Sequence, residues 1–283
     1  MRPAHINHDK CDLCGACVEE CGRGGVTIEN EQVHFHEPAC MACGHCVAIC
    51  PREALTDAEG LPPALDPALR PSPEMVAHFL RSRRSQRHYA RRPVEQEILE
   101  RLVDVARYAP SGKNAQPFGF TIVVSESQRR AFTDLCYARM ESARRKLANP
   151  AWRFVVGALF DKRVRDPAVR RSLARALRRR EMGMDPLFFS APVLFFVHGP
   201  RYGATPKDDC CYALAHAVLM GESLGLASCL NGNSEVLIRH FPDLQDFLRI
   251  PRDRRVYAAA TFGYPKRPFR RLVHRNPPQA DWM

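Results

Sequence analysis

Beyond about residue 73, the apolar and polar positions of this chain alternate between helical and strand-like spacing. Glu74 to Arg83 reads as a short helix. From Val94 to Ala109 the residues Val94, Ile98, Leu102, Val105 and Ala109 recur on one face, with Pro93 at the first position and Glu95 and Glu97 in the first turn. That pattern predicts a helix. Phe118 to Ser125 predicts a strand, Gln128 to Leu147 and Val164 to Glu181 predict helices, and the run Pro192 to His198 predicts a buried strand. Asp208 to Leu224 is helical and apolar nearly all round, with Cys211, Leu214, Ala215, Val218 and Leu219 in a stripe, so it belongs in a core or a subunit interface. Val256 to Phe262 is the last strand. This order of elements defines an α+β or α/β domain of about 210 residues.

Before residue 74 the pattern is different. Eight of twelve cysteines lie in the first 50 residues, as Cys11, Cys14, Cys17, Cys21 and again as Cys40, Cys43, Cys46, Cys50. Each run reads C-x2-C-x2-C-x3-C, and an offset of 29 superposes them, together with Gly15 on Gly44 and Val18 on Val47. Three thiolates two residues apart on a tight loop can reach three irons of a cubane, and a fourth one turn on points to the other cluster. Cys11, Cys14, Cys17 and Cys50 would then hold one 4Fe-4S cluster, and Cys40, Cys43, Cys46 and Cys21 the second. Gly15 and Gly44 let the backbone pass close to inorganic sulfide. Structural zinc has no use for a third cysteine in each run. Pro51 after Cys50 completes a segment that resembles bacterial ferredoxins, while Gly22 stands at the matching place in the first run. The organisation expected is a two-cluster domain over 1–58, a proline-rich linker over 59–73 and a larger domain over 74–283. The linker carries Pro62, Pro63, Pro67, Pro71 and Pro73.

Composition narrows the function. With 283 residues, 45% hydrophobic and 26% charged, the chain has ample material for a core and is not disordered. Its longest apolar stretch, Ala191 to Val197, is far short of the ~20 residues a membrane span needs. Met1 to Lys10 lacks the apolar centre of a signal peptide, so a cytoplasmic location is expected, and thiols there favour metal over disulfides. Net charge is +11, mostly arginine. Much of that surplus is what a GC-rich genome writes, but arginine also suits phosphate and carboxylate partners. From Lys162 to Arg180 nine residues are basic (Lys162, Arg163, Arg165, Arg170, Arg171, Arg175, Arg178, Arg179 and Arg180) against the single acid Asp166. This reads as a solvated helix face that would also suit an acidic electron carrier such as ferredoxin or flavodoxin. No groove-reading motif or aromatic interleaving accompanies it, so nucleic acid is not expected. No G-x-G-x-x-G follows a strand, so no Rossmann domain is indicated.

Arg83-Arg84-Ser85-Gln86-Arg87-His88-Tyr89 places several guanidiniums and a hydroxyl within five residues, a phosphate receptor by chemistry. Some 20 residues on comes Ala109-Pro110-Ser111-Gly112-Lys113-Asn114-Ala115-Gln116-Pro117-Phe118, between the amphipathic helix and a strand. Later come Gly221-Glu222-Ser223-Leu224-Gly225-Leu226, Cys229-Leu230-Asn231-Gly232 and Gly263-Tyr264-Pro265. Together, across Arg83 to about Arg271, these motifs resemble the nitroreductase family of FMN enzymes, and the whole chain resembles a ferredoxin-fused nitroreductase. The resemblance implies an α+β fold that dimerises with FMN between subunits. It implies that Arg83, Arg84, Ser85 and Arg87 hold the phosphate and ribityl chain, and that Pro110, Ser111 and Asn114 approach from the other subunit. It further implies that Cys229, Leu230, Asn231 and Gly232 pass the flavin ring, with a backbone N–H near Gly232 offered to flavin N5. Arg270 and Arg271 are the basic pair expected to close the phosphate site, with Lys266 and Arg267 as the alternative. No side chain is expected to act as nucleophile or general base, since the flavin carries the chemistry.

Two-electron reduction of a small acceptor (a nitroaromatic, quinone or activated alkene), fed through the clusters, is the expected activity. NAD(P)H is admitted as donor, because such enzymes bind nicotinamide directly over the flavin. The alternatives are specialised flavin chemistry such as reductive dehalogenation or flavin fragmentation, and a non-enzymatic electron-transfer or redox-sensing module. Cys136, Cys210, Cys211 and Cys229 read as core thiols, with Cys229 alone placed by the resemblance beside the flavin. His198 and His216 read as core histidines.

Overall fold

A computed structural model of the chain describes residues 3–159 and 166–283. It divides into two units, one running to Ser72 and taking in Lys113–Ala115, the other comprising Pro73–Gly112 and Gln116–Met283.

In the first unit the duplication seen in the cysteines extends to the backbone. β1 (Pro3–Ile6) and β2 (Val26–Glu29) correspond at an offset of 29 to β3 (Gln32–Phe35) and β4 (Leu55–Asp57), and α1 (Ala16–Glu20) corresponds to α2 (His45–Ile49). Pairing is crosswise: β1 runs antiparallel to β4, and β2 to β3. Each half therefore completes a ribbon of the other. Gly15 and Gly44 stand just before α1 and α2 in the left-handed region, at φ 77° and 75°, where a Cβ would strain the turn. Val26, Val33, Cys46, Val47 and Leu55 form a small buried core. The sequence between Thr56 and Pro73 contains one 3₁₀ turn, Pro67–Leu69, and the residues around it are exposed.

The second unit is built on a four-stranded sheet. β5 (Gly119–Val123), β6 (Val193–Pro200), β7 (Ala227–Leu230) and β8 (Arg254–Gly263) lie in the order β5-β6-β8-β7, with every neighbouring pair antiparallel. β6 is buried on both faces, which is why its sequence is a continuous apolar run rather than an alternation. Phe195 and Val197 turn to a layer that includes Leu99 and Leu102 of α4 (Gln96–Ala106) and Ala213, Leu214 and Ala217 of α8 (Pro206–Ser223). Leu194 and Phe196 turn to the opposite layer, with Phe132 and Cys136 of α5 (Glu126–Ala148), Ile238 of α9 (Gly232–His240) and Leu244 of α10 (Pro242–Phe247). The fold is α+β, as expected. Its other helices are α3 (Pro73–Ser82), α6 (Pro150–Leu159) and α7 (Pro167–Glu181).

Several expectations need correction. The helix predicted from Val94 begins at Gln96, with Glu95 at its N-cap and Pro93 outside it. The buried face of α8 is Asp209, Cys210, Ala213, Leu214, Ala217, Val218 and Gly221; Cys211 and Ala215 are exposed, so the expected stripe is displaced by one position. Cys211 is accordingly not a core thiol, whereas Cys136, Cys210 and Cys229 are buried. Of the basic run, Lys162, Arg163 and Arg165 lie outside the described residues, as does the start of the helix expected from Val164. Arg171, Arg175, Arg178 and Arg179 are exposed on α7. Elements the periodicity did not predict are α6, β7, α9 and α10.

Candidate cofactor sites

The eight N-terminal thiols line two separate cavities. Cys11, Cys14, Cys17 and Cys50 share one with Gly15 and Pro51. Cys21, Cys40, Cys43 and Cys46 share the other with Gly44 and His45. This is the crosswise grouping expected from the spacing, and it follows from the crosswise ribbons, which bring the end of each run to the loop of the other. Among the described residues no three His, Cys, Asp or Glu side chains converge on a point where a single ion would sit. Backbone N–H groups already turn to sulfur: Ala42 donates to Cys40 Sγ at 3.4 Å and Ala54 to Cys50 Sγ at 3.3 Å. Burial pushes the Cys46 thiol up to about 11 and raises Cys17, with neighbouring thiols adding to both. Thiols so crowded ionise together only against a cationic partner. Arg52 Nε meets Asp12 Oδ2 at 2.8 Å, joining the first loop to the turn after Cys50 and holding the Asp12 carboxyl below its ordinary range. His45 is exposed and pairs with Glu20 at 3.2 Å. The Asn114 amide, in the Lys113–Ala115 stretch of this unit, donates to the Ala42 carbonyl at 2.8 Å.

In the second unit the arginine segment leaves α3 and runs along the outer edge of β7. Ser85 bridges in parallel to Ser228, and the Gln86 N–H donates to the Ser228 carbonyl at 2.8 Å. Its far side is laid against Tyr264–Arg267: Ala90 N–H to Tyr264 O at 2.8 Å, Lys266 N–H to His88 O at 2.9 Å, and Gln86 Nε2 to Arg267 O at 2.8 Å. Tyr89 anchors the segment from below, its hydroxyl 2.7 Å from Thr261 Oγ1 and donating to Gln86 O. So fixed, Arg83, Ser85 and Arg87 gather around the Cys229 thiol. Burial raises that thiol, while Arg87, a hydrogen bond with Ser85 and Arg83 act against the rise. Glu222, half-buried and raised by burial, also feels Arg83. Arg83 Nη1 is buried without a hydrogen-bond partner. A guanidinium N–H left so is costly unless an acceptor arrives, and an oxyanion is the acceptor it suits best.

Other predicted residues fall in distinct places. Arg84 is partly exposed beside Arg83. Lys266 and Arg267, the alternative basic pair, are tied to the arginine segment, Lys266 through its N–H to His88 and Arg267 through its carbonyl to the Gln86 side chain, whereas Arg270 and Arg271 are exposed further along the chain. At the end of β7, Cys229 is buried and Leu230 is exposed. Asn231 is the N-cap of α9, accepting from Ser234 N–H at 3.1 Å and donating to Leu187 O at 2.7 Å, so both ends of its amide are bonded within the fold. Gly232 opens α9 with nothing within 4 Å of where a Cβ would be. Pro110 and Ser111 stand on the loop after α4, and Ser111 Oγ accepts from the Gln116 N–H at 2.9 Å. The motifs contain Gln86, Tyr89 and Glu222 but gave them no role, and Ser228 lay outside them; their partners are distant along the chain. A cavity of about 1020 Å³ in this unit is lined by Tyr89, Arg91, Arg129, Phe189 and Ser190 among others, and none of Arg83, Ser85 or Cys229 lines it. Its arginines largely serve the fold, as in the pairs Arg180–Asp134, Arg130–Glu126 and Arg92–Glu95.

An antiparallel sheet clad on both faces, with an anion-ready arginine edge and a cysteine-lined module before it, defines an oxidoreductase class in which bound cofactors do the chemistry. The comparisons agree. The model of the nitroreductase family matches residues 80–264, and that of the 4Fe-4S dicluster domain matches residues 4–51. A nitrobenzene nitroreductase of Ectopseudomonas oleovorans is 28% identical over 211 residues, covering 69% of this chain and 88% of that protein. A chloronitrobenzene nitroreductase of Comamonas testosteroni is 27% identical over 209 residues, with the same coverage of 69% and 88%. Among solved structures, a point mutant of the FMN and NADPH-dependent nitroreductase NfnB from sphigopyxis sp. strain HMH superposes with a TM-score of 0.50 at 27% identity, covering 67% of this chain and 88% of that one. The fold is shared with an FMN-bound nitroreductase of Bacteroides fragilis, with TM-score 0.54, 19% identity, and coverage of 74% of this chain and 98% of that one. The chain belongs to the nitroreductase family and carries a 4Fe-4S dicluster domain at its N-terminus.

Proposed function

We propose that this chain is a homodimeric FMN enzyme that passes electrons between two 4Fe-4S clusters and FMN to reduce a small organic acceptor. Nitroaromatics come first among acceptors, because the named relatives act on nitrobenzene and chloronitrobenzene; quinones and activated alkenes share their flat, electron-poor character. Bound FMN supplies two-electron redox chemistry, and the clusters supply one-electron steps.

The observation that carries the FMN reading is the buried, partnerless Arg83 Nη1 beside Ser85, Arg87 and Cys229. These groups would take the phosphate. Tyr89 and Gln86 keep the segment straight, so the donors are held in place before the anion arrives. The open flank at Gly232, with a backbone N–H there at the start of α9, would meet an electron-rich edge of the ring. Cys11, Cys14, Cys17 and Cys50 would hold one cluster, and Cys21, Cys40, Cys43 and Cys46 the other, the grouping that the two cavities support. NAD(P)H and an acidic one-electron carrier are both compatible donors.

The test is the anaerobically purified protein. Bound FMN, iron near eight per chain for two four-iron clusters, and reduction of nitrobenzene by NADPH or a reduced ferredoxin are expected. A brown protein that neither retains nor takes up FMN would refute the enzyme reading.

A further inference from the structure

The first turn of α8 carries a buried carboxylate that bonds outside the helix. Asp209, in the first turn, is only 4% exposed. Its Oδ1 accepts from the Gly112 N–H at 3.0 Å and from the Thr205 hydroxyl at 3.0 Å. Thr205, the residue before the helix, makes no side-chain cap to α8; its hydroxyl is turned to Asp209 instead. Gly112 fits so closely that a Cβ there would stand 2.3 Å from Thr205 Oγ1. Burying a carboxylate is expensive unless its bonds are strong, and here the helix N-terminus and two donors provide them. What they hold is the loop that carries Pro110 and Ser111.

We propose that Asp209, braced by Thr205, is a positioning residue that clamps the Gly112 backbone and thereby sets Pro110 and Ser111 for the flavin. This rests on the FMN reading above, since those residues are flavin contacts only within it.

The test compares Asp209→Ala with Asp209→Asn, which keeps an oxygen for both donors, in the full chain. FMN dissociation is followed by flavin fluorescence, and the visible flavin spectrum, thermal midpoint and iron content are recorded alongside. Asp209→Ala should weaken FMN binding at least about tenfold and shift the flavin bands with iron unchanged, while Asp209→Asn stays within about threefold of wild type. Thr205→Val against Thr205→Ser repeats the comparison should Asp209→Ala not fold. Wild-type affinity in both disruptive variants, or an Asn variant as weak as the Ala variant, overturns the clamp. A wild-type protein that binds no FMN instead overturns the reading it rests on.

Discussion

Arg83 Nη1 and His198 Nδ1 are two inward-facing nitrogens settled in opposite ways. Arg83 Nη1 has no acceptor in its own fold. Replacing Arg83 with Ala should therefore weaken FMN binding by ~1.5–3 kcal/mol, the worth of a charge-assisted contact. Titration of apoprotein with FMN reads this directly, and unchanged affinity would remove Arg83 from the site. His198, by contrast, is satisfied: Arg254 Nε, which can only donate, meets His198 Nδ1 at 2.7 Å, so that nitrogen carries no proton. Burial, then the Arg254 charge, pushes this imidazole down to about 4. A depressed histidine stays neutral when folded but takes a proton when unfolded, so its contribution is present above about pH 6.5 and is lost as pH falls toward 4. Thermal midpoints should drop across that window, and His198→Gln, which keeps an acceptor for Arg254, should flatten the fall. An equal slope in both proteins would assign it elsewhere. Both residues were visible in the sequence, Arg83 in a motif and His198 on an apolar run. Their partners were not, because Arg254 and the orphaned Nη1 are products of tertiary contact.

At the scale of elements, the repeat was legible nearly in full. An offset of 29 places Leu13 on Ala42 and Gly24 on Glu53 as well as the glycines, and all of these have positive φ. Crosswise ribbons then make a prediction of their own. Cys21→Ser should remove the cluster served by Cys40, Cys43 and Cys46, and Cys50→Ser the one served by Cys11, Cys14 and Cys17, each leaving about four irons. Spectra of double variants separate this from local assignment: Cys21→Ser with Cys43→Ser should lose no more iron than either alone. Loss of both clusters in that double variant would mean each run ligates its own. The helices of the larger unit were harder to read. Pro150 looks like a breaker, yet it begins α6, with Asn149 Oδ1 accepting from the Ala151 N–H at 2.8 Å. α9 carries an ordinary cap at Asn231, hidden because the same residues matched a motif. For α8, with apolar residues on every side, periodicity could not choose a face. The neighbours chose it: Gly221 allows the Phe262 ring to lie where a Cβ would be only 3.0 Å away.

At the scale of the whole molecule, two units with different economies share one chain. The smaller has a core of only a few residues, which metal bound by its thiols would reinforce. The larger buries two layers of side chains against its sheet. Among the described residues no helix is long and apolar enough to cross a membrane. The sequence by itself determined the duplicated cysteine runs, the two-part organisation and the arginine segment, because cysteine spacing, proline content and charge are local chemical facts. Only the tertiary structure decided which basic pair lies along the arginine segment and which carboxylate holds the Gly112 loop. Each of those depends on residues brought together by strand pairing and helix packing, and no local pattern records where a distant segment will come to rest.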